Sequence, residues 1–66
     1  MLHTLALLVE YAKEGSVTIR CSGRSFTGSL FRDGKWWQVS MGEYITIRFR
    51  FDDIRSIENR VINLYN

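Results

Sequence analysis

Arginine and tryptophan are the residues of this sequence whose chemistry and spacing most favour binding of a ligand. Seven of the nine basic residues are arginines, and a guanidinium group both stacks on bases and binds phosphate through two donors at once. Arg48 and Arg50 project from the same face of one alternating strand. Trp36 and Trp37 point to opposite faces of another strand, so at most one of them can lie deep in a core. Two interpretations stay open: a solvated arginine face beside a packed tryptophan, or a phosphate-contacting stripe beside a base-stacking ring.

The sequence contains no constellation that favours catalysis. Cys21 has the buried parity of its strand, and the lone histidine, His3, lies at the N-terminus, far along the chain from it. A nucleophilic thiol needs an adjacent base, so we expect Cys21 to be a small core residue. Asp52 and Asp53 are adjacent carboxylates that favour a turn over a metal site. We therefore predict a protein that is not an enzyme and has no metal or cofactor.

Length and composition set limits on size and surroundings. A chain of 66 residues forms one domain, and a domain of this size buries only about 60% of its unfolded surface, which favours oligomerisation as a source of stability. No stretch approaches the ~20 apolar residues of a membrane helix, and the apolar N-terminus lacks the basic region of a signal peptide. With one cysteine and a net charge of +2, we expect a cytoplasmic protein without a membrane partner.

Hydrophobic periodicity predicts one helix and five strands. Apolar residues recur at helical spacing from Met1 to Glu14, and Gly15 follows as a typical residue beyond a helix end. Alternation then predicts short strands. Their expected ranges are Ser16 to Ser22, Ser25 to Arg32, Lys35 to Met41, Tyr44 to Phe51 and Ile54 to Glu58. Residues 59–66 form an apolar tail, expected to be an edge strand or a partner contact.

Two glycines indicate how the strands are arranged. Gly28 lies inside the second strand, where glycine marks a sharp bend or a close backbone approach. Asp33 and Gly34 predict a hairpin, because both central positions of such a turn favour positive φ. We therefore predict a mainly β domain over residues 1–66, in which an N-terminal helix precedes a five-stranded, strongly bent antiparallel small barrel.

The order and spacing of these residues resemble the Sm, Sm-like (LSm) and Hfq proteins, whose domain is an SH3-type barrel. The first family motif consists of glycines and apolar residues followed by an aspartate. It is matched in order by Gly23, Phe26, Gly28, Leu30 and Asp33. The second motif is matched at Phe49, Arg50, Asp52, Asp53, Ile54 and Ile57, with Phe51 in place of the family glycine. The likeness covers residues 16–58 and the helix, and an OB-fold barrel is the competing fold.

The resemblance implies an RNA-binding ring. Such a ring has about five to eight subunits, the fourth strand of each pairing with the fifth strand of the next. Uridine-rich or adenine-rich single-stranded RNA would bind at pore-lining loops, in an RNA-chaperone or RNA-processing role. Position by position, the implied binding residues are Asp33, Gly34, Lys35, Arg50, Asp52 and Asp53. The sequence itself adds Trp36 and Arg48 as a stacking ring and a phosphate contact.

An alternative hypothesis is that the barrel is a protein-interaction module that does not bind nucleic acid. The amide that would bind a base edge in the family is absent, since Gly34 and Trp37 occupy those positions. An Sm-like or SH3-like scaffold, including one of viral or mobile-element origin, would instead recruit a protein through one tryptophan and the apolar tail. Oligonucleotide binding distinguishes the two hypotheses.

Overall fold

The computed structural model describes the backbone of residues 2–65 and the side chains of residues 3–65. It contains an N-terminal helix, six strands and one short 3-10 helix between the fourth and fifth strands. The elements are α1 Leu2–Glu14, β1 Ser16–Cys21, β2 Arg24–Asp33, β3 Trp36–Met41, β4 Ile45–Arg50, the 3-10 helix Phe51–Asp53, β5 Ile54–Glu58 and β6 Val61–Leu64.

The strands form one strongly curled, mixed sheet in the order β4-β3-β2-β1-β6-β5. The mainly β class with an N-terminal helix is confirmed, but the prediction of five antiparallel strands is wrong in two respects. There are six strands, and β6 runs parallel to β1, with Thr18 opposite Val61 and Arg20 opposite Asn63. Over the described residues β4 and β5 are the two outermost strands and do not pair with each other, so the sheet is a half-barrel with two open edges.

The sixth strand comes from the segment expected to be a tail. Asn59 and Arg60 form a tight turn in which both residues have positive φ, 51° and 64°. This conformation suits a two-residue hairpin, and asparagine tolerates it better than most residues. The turn folds β6 back on β5, with Ile57 opposite Ile62, and places β6 between β5 and β1. The segment is therefore an interior strand, and Ile62 has no exposed surface.

Gly28 makes a close backbone approach, one of the two roles that the sequence predicted for it. The first part of β2 pairs with β1 from Arg24 to Ser29, and the last part pairs with β3 from Ser29 to Asp33. A Cβ atom on Gly28 would lie 2.3 Å from the backbone oxygen of Ser40, far inside van der Waals contact. Only glycine allows β2 and β3 to approach so closely, and this approach lets the sheet curl.

A single core fills the concave, inner face of the sheet. The helix packs on β1 and β2 and contributes Leu8, while Val9, expected in the same apolar stripe, is 38% exposed. Of the two tryptophans, Trp37 is 3% exposed and Trp36 is 37% exposed, which confirms that only one of them lies in the core. The buried set is Leu8, Val17, Ile19, Leu30, Trp37, Val39, Phe49 and Ile62.

Candidate nucleic-acid interface

The candidate site lies on the outer face of β2, β3 and β4, the face opposite the core. Its centre is an arginine–tryptophan cluster, formed by Asp33, Trp36, Arg48 and Arg50. Asp33 pairs with Trp36 across the β2–β3 hairpin, and Trp36 pairs with Arg50 across β3 and β4. Strand alternation keeps the four side chains on one face, because Trp37 and Phe49, their neighbours along the strands, point into the core.

The cluster brings two guanidinium groups to one indole ring. The Cζ atom of Arg48 lies 4.9 Å from the centroid of the Trp36 ring, and that of Arg50 lies 5.5 Å from it. Arg48 also contacts Asp33, with 3.9 Å between Nη2 and Oδ2. Each cation–π contact at an exposed site is worth about 0.5–1 kcal/mol, and the exposed ion pair is worth no more. The arginines are thus oriented by weak contacts that a ligand can replace.

The β2–β3 hairpin tip carries the next two predicted residues. Asp33 closes β2, and the central turn positions are Gly34 and Lys35, one residue later than the sequence indicated. Only Gly34 of these has positive φ, 62°, as in hairpin turns with glycine at the first central position. Arg32 donates from Nε to the Gly34 oxygen over 3.3 Å. Lys35 is exposed at the tip, where it adds a positive charge beside the cluster.

The two acidic residues of the second motif occupy the 3-10 helix. The backbone N–H of Arg50 donates to Oδ2 of Asp53 over 2.8 Å, so this carboxylate caps the turn that leads into β5. Asp52 is exposed in the same turn. Their predicted role in RNA binding has no direct support in this geometry, since Asp53 stabilises the backbone and Asp52 presents negative charge.

Two residues of the same face were missed in the sequence. Gln38 lies opposite Arg48 on β4 and opposite Phe31 on β2, and Phe31 is 50% exposed. An amide and an aromatic ring therefore stand in the row next to Trp36 and Arg50. The signal was present in the alternation, because Gln38 shares the parity of Trp36, but the register that brings Phe31 alongside comes only from the paired strands.

This face combines the groups that single-stranded nucleic acid requires. Arg48, Arg50 and Lys35 supply positive charge for phosphates, while Trp36 and Phe31 supply flat rings for bases. Gln38 offers an amide donor and acceptor for a base edge, and Asp33 opposes the positive charge from one side. Below the hairpin, Arg32 stacks at 5.5 Å on the buried Trp37 and belongs to the core side of the sheet.

Comparison with known proteins adds no further guide. No family model, curated protein or solved structure matches this chain. Among the described residues, no three His, Cys, Asp or Glu side chains lie together as a metal site. Nor does any helix within residues 2–65 have the length and apolar character needed to cross a bilayer. The function is therefore argued from the geometry of the outer face.

Proposed function

We propose that this protein is an Sm-like protein that binds single-stranded RNA on the outer face of β2, β3 and β4. The observation that carries this proposal is the arginine–tryptophan cluster, in which Arg48 and Arg50 both lie over one partly exposed indole ring. Arginine and aromatic side chains at this spacing bind bases by stacking and phosphates by charge, without a need for double-helical shape.

The face offers space for about two unpaired nucleotides. One base stacks on Trp36 or on the guanidinium planes beside it, and the next reaches Phe31, one strand row away. Gln38 lies between these positions and provides hydrogen bonds to a base edge. Unpaired RNA is the preferred ligand, because bases in a duplex are not accessible to stacking side chains. A preference for uridine-rich or adenine-rich RNA stays an expectation from the family resemblance.

We propose that the protein forms a ring of subunits, and the two open edges of the sheet support this proposal. The edge strand β4 presents unpaired backbone groups; its first residue, Ile45, is 55% exposed, and Tyr44 just before it is 93% exposed. An exposed apolar edge of this kind is prone to pair with another strand. Pairing of β4 with β5 of a second copy uses both edges and repeats head to tail, which closes into a ring when the rotation permits. The ring size of about five to eight stays an expectation from the family resemblance.

Binding of labelled oligonucleotides tests the RNA proposal. Fluorescence anisotropy with short oligouridine, oligoadenine and duplex RNA is measured from about 50 to 200 mM salt. We expect single strands to bind more tightly than the duplex and to quench tryptophan fluorescence. The double variant Arg48→Gln, Arg50→Gln should weaken binding at least tenfold and reduce the salt slope by about 1.4, at ~0.7 per phosphate contact.

The control for charge is Arg24→Gln, an exposed arginine on β2 at a distance from the cluster. This variant should keep its affinity for RNA within about twofold, because it removes one exposed positive charge without changing the arginine–tryptophan cluster. An absence of binding at 50 mM salt, or an equal loss in Arg24→Gln and the double variant, would refute the RNA proposal.

The mass of the protein in solution tests the ring separately. Light scattering should give a multimer, and Ile45→Lys should shift it toward monomer because a charge replaces an exposed apolar side chain on the core-facing side of the β4 edge. Thr46→Lys places the same charge on the outer face of the same strand and should leave the mass unchanged. A monomeric wild-type protein at micromolar concentration would refute the ring without refuting RNA binding.

Only some of the residues that the scaffold hypothesis expected to contact a protein partner are exposed. Trp37 and Ile62 are in the core, so neither can contact a protein partner. Trp36 and the exposed Tyr44 remain as anchors, and a scaffold predicts indifference to oligonucleotides together with loss of a partner in Trp36→Ala. The arginines over Trp36 favour the RNA hypothesis over this one.

A further inference from the structure

A second basic site lies at the opposite end of the sheet, between β1, β5, β6 and the β1–β2 turn. It is an open cleft of about 390 Å³. Arg20 and Ser25 are paired at one end of β2, and Asp33 and Trp36 at the other. Seven residues of β2 lie between Ser25 and Asp33, and the lining of the cleft shares no residue with the arginine–tryptophan cluster. The cleft is therefore separate from the arginine–tryptophan cluster. Its lining includes Arg20, Gly23, Arg55, Ser56, Asn63 and Tyr65.

Long-range strand pairing assembles the polar lining of this cleft. Arg20 lies opposite Asn63 in the parallel β1–β6 pair, and Asn63 lies opposite Ser56 in the β5–β6 hairpin. The Asn63 Nδ2 group donates to the Ser56 Oγ atom over 3.2 Å, which leaves the amide oxygen as an acceptor. Side chains from three strands thus meet in one row of the outer face.

A bulge in the edge strand adds the second arginine. The register of β5 on β6 shifts between Ile54 and Ser56, so Arg55 is the additional residue of a β-bulge. Bulges redirect a side chain that regular alternation would send to the other face. Arg55 lines the same cleft as Arg20 although the two belong to different strands, and this convergence is a specific feature of the fold.

Within residues 3–65, no carboxylate balances the positive charge of the cleft. None of the lining residues in this range is acidic, and none of its carboxylates forms an ion pair with Arg20 or Arg55. By contrast, Arg48 contacts Asp33 and Arg60 contacts Glu14. Two guanidinium groups without an acidic partner among the described residues attract an anion, and phosphate is the anion that arginine binds through paired donors.

We propose that this cleft binds a nucleoside monophosphate unit, either free or as part of an RNA strand. Inorganic phosphate is too small to fill a cleft of this volume, whereas pockets of a few hundred Å³ suit ligands of nucleotide size. Tyr65 is 62% exposed, and its backbone N–H donates to the Asp53 oxygen over 2.9 Å. This bond fixes the Tyr65 backbone beside the cleft, and a base can stack on the exposed ring while Asn63 bonds to the sugar or base edge.

Amide NMR of the full chain tests the cleft directly. Titration with UMP and AMP should give saturable shifts of the Asn63 side-chain amide and the Gly23 backbone amide, with no shift of the Trp36 indole. Uridine and adenosine, which lack the phosphate, should bind at least tenfold more weakly. A 5′-phosphorylated oligonucleotide compared with its 5′-hydroxyl form distinguishes a strand end from a free nucleotide, because only a strand-end site favours the phosphorylated form.

Matched variants distinguish the two arginines of the cleft from general charge. Arg55→Gln and Arg20→Gln should each raise the Kd for UMP about tenfold, the usual loss for one charged hydrogen-bond donor, and Tyr65→Leu should raise it severalfold. Arg24→Gln, an exposed arginine outside the lining, should leave it unchanged. The experiment does not depend on the proposed RNA face, since UMP binding is measured without RNA.

Two results would overturn the proposal. The first is an absence of saturable shifts at Asn63 and Gly23 with millimolar UMP and AMP. The second is equal binding of inorganic phosphate and UMP, which would leave an anion site without selectivity for a nucleotide.

Discussion

The two halves of the sheet are built from the chain in different ways. In the half formed by β2, β3 and β4, each strand pairs with its neighbour in sequence through a short turn. In the half formed by β1, β6 and β5, the N-terminal strand pairs in parallel with the last one, so Arg20 meets Asn63. The first half places its cluster through local hairpins, and the second assembles its cleft from distant segments. A site placed by local hairpins can be recognised in the sequence, whereas a site assembled from distant segments can be recognised only once the strand pairing is known.

The largest effect is expected where the halves join, at Gly28. Gly28→Ala places a Cβ atom 2.3 Å from the Ser40 oxygen, so β2 and β3 must separate. Overpacking against backbone costs about 1–3 kcal/mol or more, and a domain of this size has about 3–10 kcal/mol in total. We expect urea denaturation to show loss of most of the free energy of unfolding.

Gly23→Ala is the matched control. Unlike Gly28, Gly23 has positive φ, 76°, and no atom lies within 4 Å of its added Cβ. That variant carries only the backbone cost of about 1 kcal/mol. If Gly28→Ala were no less stable than Gly23→Ala, the close approach would not determine the curl of the sheet.

The next largest loss of stability is expected for truncation of a core residue, and one residue from each half can be compared. Ile62→Ala in β6 and Val39→Ala in β3 both truncate side chains with no exposed surface. We expect a loss of about 2–5 kcal/mol for Ile62→Ala and somewhat less for Val39→Ala, with one cooperative transition in each case. Near-zero cost for Ile62→Ala, or a separate early transition for β6, would mean that the second half is only loosely attached to the first.

These halves also differ in how much the sequence could predict. Alternation located the four strands before the 3-10 helix to within one residue at most ends, and β5 at Ile54–Glu58 was correct. The same alternation predicted that Trp36 and Trp37 point to opposite faces of their strand, and only Trp37 is buried. An edge strand or a partner contact was expected for residues 59–66, but the interior position of β6 was missed because its turn, Asn59–Arg60, contains no glycine and the following run is short and apolar.

The candidate site residues differ in the same way. Trp36, Arg48 and Arg50 could be singled out because strand alternation alone puts them on an open face. Gln38 and Phe31 were missed because their nearness depends on strand register, and Arg55 was missed because a bulge reverses its parity. Local periodicity cannot encode either feature, since both arise from which strands pair and at what offset.

Arg60 links the helix to the half formed by β1, β6 and β5. Its loss should lower the free energy of unfolding moderately. Its guanidinium contacts the Glu14 carboxylate and, from Nε, the Ser16 oxygen at 3.1 Å, and it lies 5.3 Å from the Tyr11 ring. Arg60→Ala should cost about 1–2 kcal/mol. Arg24→Ala, which lacks such contacts, should cost less than ~0.5 kcal/mol, and equal effects of the two by thermal denaturation would argue against this link.

The smallest effect on stability is expected for Asp33→Asn in the arginine–tryptophan cluster. Asp33→Asn removes the carboxylate that faces Arg48 at 3.9 Å, where the side chains are 68% and 50% exposed. Exposed ion pairs contribute little, so stability should change by less than ~0.5 kcal/mol. Affinity for single-stranded RNA should rise about twofold to fivefold at low salt, because one negative charge leaves a face that binds phosphates. The same substitution should leave UMP binding in the distant cleft unchanged. Weaker RNA binding by Asp33→Asn would instead mean that the carboxylate itself contacts the ligand, as the family resemblance implied.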